Sequence, residues 1–445
     1  LYEAIHSHRS VSIRYISQTR AEQIAFYRFL ENPKVSLSEL IASLADSCQT
    51  KVSGRHVLAI SDTSEINLQS HAGRLQSPGL GVVGNEQLGF FIHPTLVLDA
   101  SDGCPLGLSS VQMWTRAAER TVKTPSDYKT LPIEAKESVK WLRAATDSTR
   151  CLSAGGATSV THIGDRESDI YEEWATVPDE MSQVLVRVCR DRRLLGCSAS
   201  LYDYLAQQPC QGTYSIAVPA DERIGRPARE AAMVVRFTPL TIRRPKRLRA
   251  AEYPPGVDLY ALEAREVNPP AGQTPIHWRL LTTHCVMTLA QALQVIEWYR
   301  WRWSIEQLFA TLKTAGLDIE SSELETMAAI QRLTVLSLAV AVQLLQLVKG
   351  REQSTWSRSL AFTPEQCQCL EQLAPTLEGR TAKQQNPHPR ESLAWATWVV
   401  ARLGGWSGYR SQRPPGIKTL ARGLREFEAI VRGWKLFHSP LVCTP

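Results

Sequence analysis

The sequence predicts an α/β protein: a mixed sheet flanked by helices, with an inserted β subdomain and helical regions at both ends. Three observations predict it. Between residues 55 and 117, three apolar runs punctuated by Gly and Pro read as successive strands of an antiparallel meander. Between residues 133 and 188, helix-like and strand-like segments alternate, so the meander continues into a mixed sheet covered by helices. Beyond residue 289, apolar positions recur with the helical period.

The elements follow in order. From Gln23 to Ala45, the positions of Ile24, Phe26, Phe29, Leu30, Leu37, Leu40, Ile41 and Leu44 predict two short helices broken at Asn32-Pro33. Arg55 to Asp62, Leu88 to Leu98 and Leu106 to Ala117 are the three strands. Ile133 to Ala145 has helical composition, and a strand (Ser159 to Gly164), a helix (Glu167 to Trp174) and a strand (Gln183 to Val188) come next. Between Gly196 and Gly272 short β-rich pieces predict the inserted subdomain. It carries the most basic run, Arg243, Arg244, Lys246, Arg247 and Arg249, which fits either a solvated loop or a phosphate contact. After a strand at Ile276 to Thr282 come long helices at Leu289 to Thr314 and Leu324 to Val348, then a separate helical tail. The predicted regions are residues 1–52, 53–195, 196–275, 276–349 and 350–445.

At 445 residues the chain is too long for one small core, so a central domain with at least two attachments is expected. Its 50 Lys and Arg against 44 Asp and Glu permit a nucleic-acid partner without demanding one. Cys367 and Cys369, the closest pair among 10 cysteines, match no common zinc spacing, and the thiols read as reduced and cytosolic. Ala328 to Val348 is interrupted by Gln331, Arg332, Gln343 and Gln346, which favours a buried helix over a membrane span. No signal peptide opens the chain, and Leu1 in place of Met suggests a fragment or an unusual start.

The segment from Trp298 to Lys313 carries the functional reading. With Tyr299 as origin, Arg302, Glu306 and Lys313 fall within roughly 60° of it, while Trp301, Ile305, Leu308 and Leu312 lie on the opposite, buried face. A carboxylate is thereby presented among a phenol and two cations, with Trp303 beside them. Polar residues opposite a core face are also what a solvated surface requires. Rings beside Arg and Lys suit nucleotide stacking and phosphate pairing. One carboxylate cannot hold a catalytic pair of Mg²⁺ ions, and two others stand where they would serve: Asp62 and Asp165 each follow an apolar strand. Each also fits a cap or Asx turn.

The spacing Tyr299-x2-Arg302-x3-Glu306-x6-Lys313 resembles the YREK signature of bacterial cut-and-paste insertion-sequence transposases of the DDE class. AFYRFLENPKVS at Ala25 to Ser36, SDTS at Ser61 to Ser64, KESVKW at Lys136 to Trp141, GDRESDIY at Gly164 to Tyr171, AGQTPIHWRLLT ending at Thr282 and ARLGGW at Ala401 to Trp406 resemble the same family in consistent order. The resemblance implies a ribonuclease-H-like core in which Asp62, Asp165 and Glu306 bind two Mg²⁺ ions, with Mn²⁺ as a substitute. It implies that Tyr299, Arg302, Lys313 and Arg187 contact double-stranded DNA at transposon ends and targets. Trp278 and Trp303 would stabilise a flipped base, although a sheet-packing role also fits Trp278. Nicking, hairpin formation and strand transfer by a cytoplasmic homodimer are the implied activity. Residues 1–52 would be a partial DNA-binding region and residues 350–445 the dimerisation region, with no membrane partner. Only about two dozen residues precede AFYRFLENP, which keeps open a non-catalytic, dimerising inhibitor; a nuclease of the same fold without strand transfer is a separate alternative.

Overall fold

In the computed structural model of the chain, residues 1–75, 81–117, 131–220, 225–315, 317–409 and 412–438 are described. The predicted break at Asn32-Pro33 separates α3 (Arg20–Glu31) from α4 (Leu37–Gln49), after two short helices, α1 (Tyr2–His8) and α2 (Ile13–Ile16). Thr19 and Ser36 set the starts of α3 and α4, their hydroxyls accepting from the Glu22 and Glu39 backbone N–H groups.

The strands are β1 (His56–Ser61), β2 (Ser64–Asn67), β3 (Gly89–Asp99), β4 (Pro105–Trp114), β5 (Ser159–Gly164), β6 (Ser182–Arg187), β7 (Gly212–Val218), β8 (Arg229–Arg243), β9 (Gly256–Glu266) and β10 (His277–Thr282). They form one mixed sheet in the order β2-β3-β1-β5-β6-β10-β9-β8-β7, with β4 on β3. The meander is antiparallel (β1 on β3, β3 on β4), while β1, β5 and β6 are parallel. This is a large mixed sheet flanked by helices, compatible with a ribonuclease-H-like fold. The β-rich insertion does not stand apart from it: β9 pairs with β10 along six residues, so β7, β8 and β9 extend the same sheet.

The remaining helices are α5 (Val139–Ala154), α6 (Tyr171–Thr176), α7 (Leu201–Gln207), α8 (Leu289–Trp301), α9 (Trp303–Ala310), α10 (Met327–Gly350), α11 (Pro364–Leu377), α12 (Leu393–Leu403) and α13 (Ile417–His438). Strand β1 shows why both faces of the sheet need cover. Its alternate residues Leu58 and Ile60 join one apolar cluster, whereas Val57 and Ala59 join a second that includes Trp356, Trp395, Trp398 and Phe427. The predicted helical tail is therefore not separate, because its rings share a core with the central strands. Helix α10 is long and apolar enough to cross a membrane, yet most of it is buried within the protein, as its interrupting Gln and Arg side chains predicted. Gln343 donates to Ala361 O at 2.7 Å and Gln346 to Pro105 O at 2.8 Å, so both amides find partners inside the protein.

The long helix predicted from Leu289 to Thr314 is interrupted. A capping box of Thr288 and Gln291 starts α8, Arg302 forms a one-residue link to α9, and Thr311–Ala315 widens into a π-helical turn. Such insertions in helices recur at functional sites.

Candidate active site

Strand register sets the first two carboxylates level. Ile60 of β1 pairs with Ile163 of β5, and Asp62 and Asp165 each lie two residues further on, at the same end of adjacent parallel strands. Gly164 pairs with Val186 of β6, so the next residues, Asp165 and Arg187, are level as well. Parallel strands of equal phase bring together residues that are 103 positions apart in the chain.

Local chemistry then fixes each side chain. Asp62 accepts from its neighbour Thr63 N–H at 2.7 Å and from Arg302 Nη1 at 2.9 Å. Its carboxyl is pushed up to about 6, chiefly by burial, with Asp165 and Glu306 adding to the rise and Thr63 and Arg302 opposing it. Asp165 accepts from Glu167 N–H at 2.8 Å, capping the 3-10 turn Arg166–Ser168. The capping alternative is thus realised together with placement at the site, since one carboxylate oxygen serves the turn. Glu306, in the first turn of α9, accepts from Arg302 Nη2 at 2.7 Å. The guanidinium of Arg302 consequently bridges Asp62 and Glu306.

Tyr299 corrects the expectation from helical angles. It is buried, at 6 % exposure, where an outward position is expected, yet it sits beside Arg302, whose guanidinium lies 5.9 Å from its ring. Burial raises the phenol, Arg302 and Arg187 oppose the rise, and Asp165 reinforces it. Arg187 also donates to His277 O at 3.3 Å. Lys313, in the π turn, pairs with Glu320 at 3.3 Å, and Glu320 accepts from Asn67 N–H at 3.0 Å, so this cation is tied to the end of β2.

The two tryptophans are placed differently. Trp278 lies on β10 opposite Ala264, half-buried against the main core, which favours its sheet-packing alternative. Trp303 is 59 % exposed and lines, with Arg300 and Lys349, a cavity of about 360 Å³. The basic run of the insertion is largely engaged within the chain: Arg244 donates to Tyr253 O, Arg247 pairs with Glu172 and Arg249 with Glu252.

Several supporting residues escaped sequence reasoning. Thr63 bonds His93 Nδ1 at 2.9 Å, and His93 packs edge-on against Trp141 at 4.8 Å. Lys140 pairs with Glu167 at 2.9 Å, joining the KESVKW and GDRESDIY segments. A cavity of about 930 Å³ opens there, lined by Thr63, Arg166, Glu167, Lys140, Trp114 and Trp141 among others. Co-occurrence of two charged motifs was the only sequence signal for that contact.

Residues 186–342 match the family model of the transposase DDE domain. The matched stretch contains Arg187, Trp278, Tyr299, Arg302, Trp303, Glu306 and Lys313, and lies C-terminal to Asp62 and Asp165. The match supports a transposase DDE domain over these residues. Transposase DDE domains use divalent metal ions. Here the donor set is hard carboxylate oxygen, as Mg²⁺ prefers. Among the described residues, however, no group of three or more His, Cys, Asp and Glu side chains is gathered closely enough to hold a metal. The chemistry of the donors fits a divalent cation; the cation now between Asp62 and Glu306 is the guanidinium of Arg302.

Proposed function

We propose that the chain is a cut-and-paste DNA transposase whose metal-binding carboxylates are Asp62, Asp165 and Glu306. The supporting observation is the level placement of Asp62 and Asp165 on adjacent parallel strands, with Glu306 linked to Asp62 through one guanidinium. Bound Mg²⁺ or Mn²⁺ would supply activation of the attacking water or 3′-hydroxyl and stabilisation of the leaving oxygen.

The chain's own residues bind and orient. Arg302, Lys313 and Arg187 supply cations for the phosphates that flank the scissile bond, and the ring of Tyr299 packs 5.9 Å from the Arg302 guanidinium. The cap on the Arg166–Ser168 turn holds Asp165 at the strand end. The exposed ring of Trp303 offers a stacking surface for an unpaired base, as hairpin formation requires. Hairpin opening and strand transfer complete the reading, with two copies paired through residues 350–445.

The test is cleavage of a linear duplex bearing the inverted repeats that bracket the reading frame. Asp62→Asn, Asp165→Asn and Glu306→Gln are each expected to abolish Mg²⁺-dependent nicking while duplex binding persists. Nicking by any one of them at the parental rate overturns the carboxylate assignment. Joined strand-transfer products separate a transposase from a nuclease that only cuts.

A further inference from the structure

The bridging guanidinium occupies the position where charge neutralisation is needed most. Arg302 is almost enclosed, with its side chain 13 % exposed, and spends Nη1 on Asp62 and Nη2 on Glu306 at 2.9 and 2.7 Å. Both are charge-assisted hydrogen bonds, the stronger kind. Its ring neighbour Tyr299 lies 5.9 Å away. Lys313 is likewise held on a carboxylate, Glu320. The two cations of α9 and its π turn are thus both neutralised internally.

A divalent cation and Arg302 cannot both use the same carboxylate oxygens. Loading a metal through Asp62 Oδ2 and Glu306 Oε1, the oxygens that Arg302 holds, displaces the guanidinium, and an arginine that leaves an enclosed site needs another anion. A DNA phosphate beside the strand ends is such an anion, and it would pair with the planar fork of Arg302 through two hydrogen bonds. The position of Arg302 makes the exchange mechanically simple. It is the single-residue link between α8 and α9, with its backbone N–H directed to Tyr299 O and Arg300 O, so the side chain can turn without unwinding either helix.

We infer that Arg302 is a gate for metal loading: it holds the place of the divalent cation in the DNA-free protein and releases Asp62 and Glu306 when a DNA phosphate takes its guanidinium. The inference rests on the metal-binding reading of the three carboxylates. It makes DNA and metal binding mutually reinforcing, and the coupling is reciprocal: the factor by which duplex tightens metal equals the factor by which metal tightens duplex. A chain gated in this way keeps its hydrolytic metals out until substrate is in place.

The experiment titrates the full chain with Mn²⁺, reading free ion by its paramagnetic resonance, with and without a short blunt-ended DNA duplex. Wild type is expected to bind Mn²⁺ weakly alone and at least about tenfold more tightly with duplex, within the usual range of such couplings. Arg302→Met is expected to bind Mn²⁺ at least about tenfold more tightly than wild type without duplex, to gain little on adding it, and to cleave poorly. Arg302→Lys, which keeps one charge and loses the fork, should fall between them; it carries the test if thermal melting shows that Arg302→Met is unfolded. Equal or weaker Mn²⁺ binding by Arg302→Met without duplex, or a wild-type affinity indifferent to duplex, overturns the gate. If cleavage still depends on Asp62, Asp165 and Glu306 in that case, the gate alone has failed. If no variant binds Mn²⁺ with or without duplex, the metal-binding reading falls with it.

Discussion

The turn that presents Asp165 rests on a buried acid, and replacing Glu173 with Gln should remove a pH dependence built into the fold. Glu173, on α6, is 3 % exposed and accepts from Ser168 Oγ at 2.6 Å, at the end of the turn that Asp165 caps. Burial pushes its carboxyl up to about 8, Ser168 opposes the rise and Asp169 adds to it. The folded state therefore binds the proton more tightly than the unfolded chain, where the ordinary value is 4.5. The associated stability is complete below about pH 4.5 and is lost as pH rises towards 8. At pH 5 the loss is under about 1 kcal/mol; by pH 9 it approaches about 5 kcal/mol, the full gap at 1.36 kcal/mol per unit.

Gln has no such titration. Its amide adds a donor that costs about 1–3 kcal/mol if unpaired, but that offset is the same at every pH. The informative quantity is therefore a slope: the stability of Glu173→Gln minus wild type should rise by about 4 kcal/mol between pH 5 and pH 9. Urea denaturation followed by tryptophan fluorescence measures it. A difference that stays constant across that range refutes the claim that Glu173 is protonated in the folded protein.

Three further outcomes follow from the same kind of accounting. Burial would raise Glu263, but His277, Arg279 and Arg236 outweigh it and hold the carboxyl down to about 2, so its stabilisation is present above pH 4.5 and lost as pH falls through 2. Glu263→Gln should cost about 3 kcal/mol at pH 7 and almost nothing at pH 2, as read from denaturation midpoints. Arg332 donates to Leu30 O at 2.6 Å and Val35 O at 2.7 Å, clasping the link between α3 and α4; Arg332→Met should cost about 2–4 kcal/mol and speed amide exchange in residues 30–36, and unchanged exchange there would assign the link's rigidity elsewhere. Lys313→Ala should lower the slope of log affinity for DNA against log salt by about 1, whereas an unchanged slope leaves Lys313 as a purely internal partner of Glu320.

Much of the sheet was legible because its strands are apolar on both faces. His56 to Ser61 and Ser159 to Gly164 stand out as short apolar runs, and the structure places them within a residue of the predicted bounds. Helices α3 and α4 were legible from period and from the Asn32-Pro33 break. The pairing of the insertion with the main sheet was not legible because strand composition says nothing about partners: β9 reaches β10 through hydrogen bonds between backbones, which carry no side-chain signature. The helical tail was judged separate for a related reason. Its apolar faces were visible, but not that Val57 and Ala59 on β1 needed them.

The limit on reading the site lies at one residue. Helical angles assume an unbroken helix, and Tyr299 to Lys313 contains neither Pro nor Gly to announce a break. At the interruption Arg302 keeps a right-handed helical backbone, φ −50° and ψ −33°, and anchors its guanidinium on Asp62, which is 240 residues away in the chain. That same contact decides what the carboxylates can do. Sequence spacing identifies which acids and bases share a neighbourhood, because a strand register and a helix face are local and periodic. It does not say whether a given cation serves the substrate or stands in for a metal, because both tasks require the same residue at the same angle. Only the partner separates them: the internal cation that meets both Asp62 and Glu306 is Arg302. In the proposed gate, those two carboxylates become available to a metal only when a competing anion takes the guanidinium.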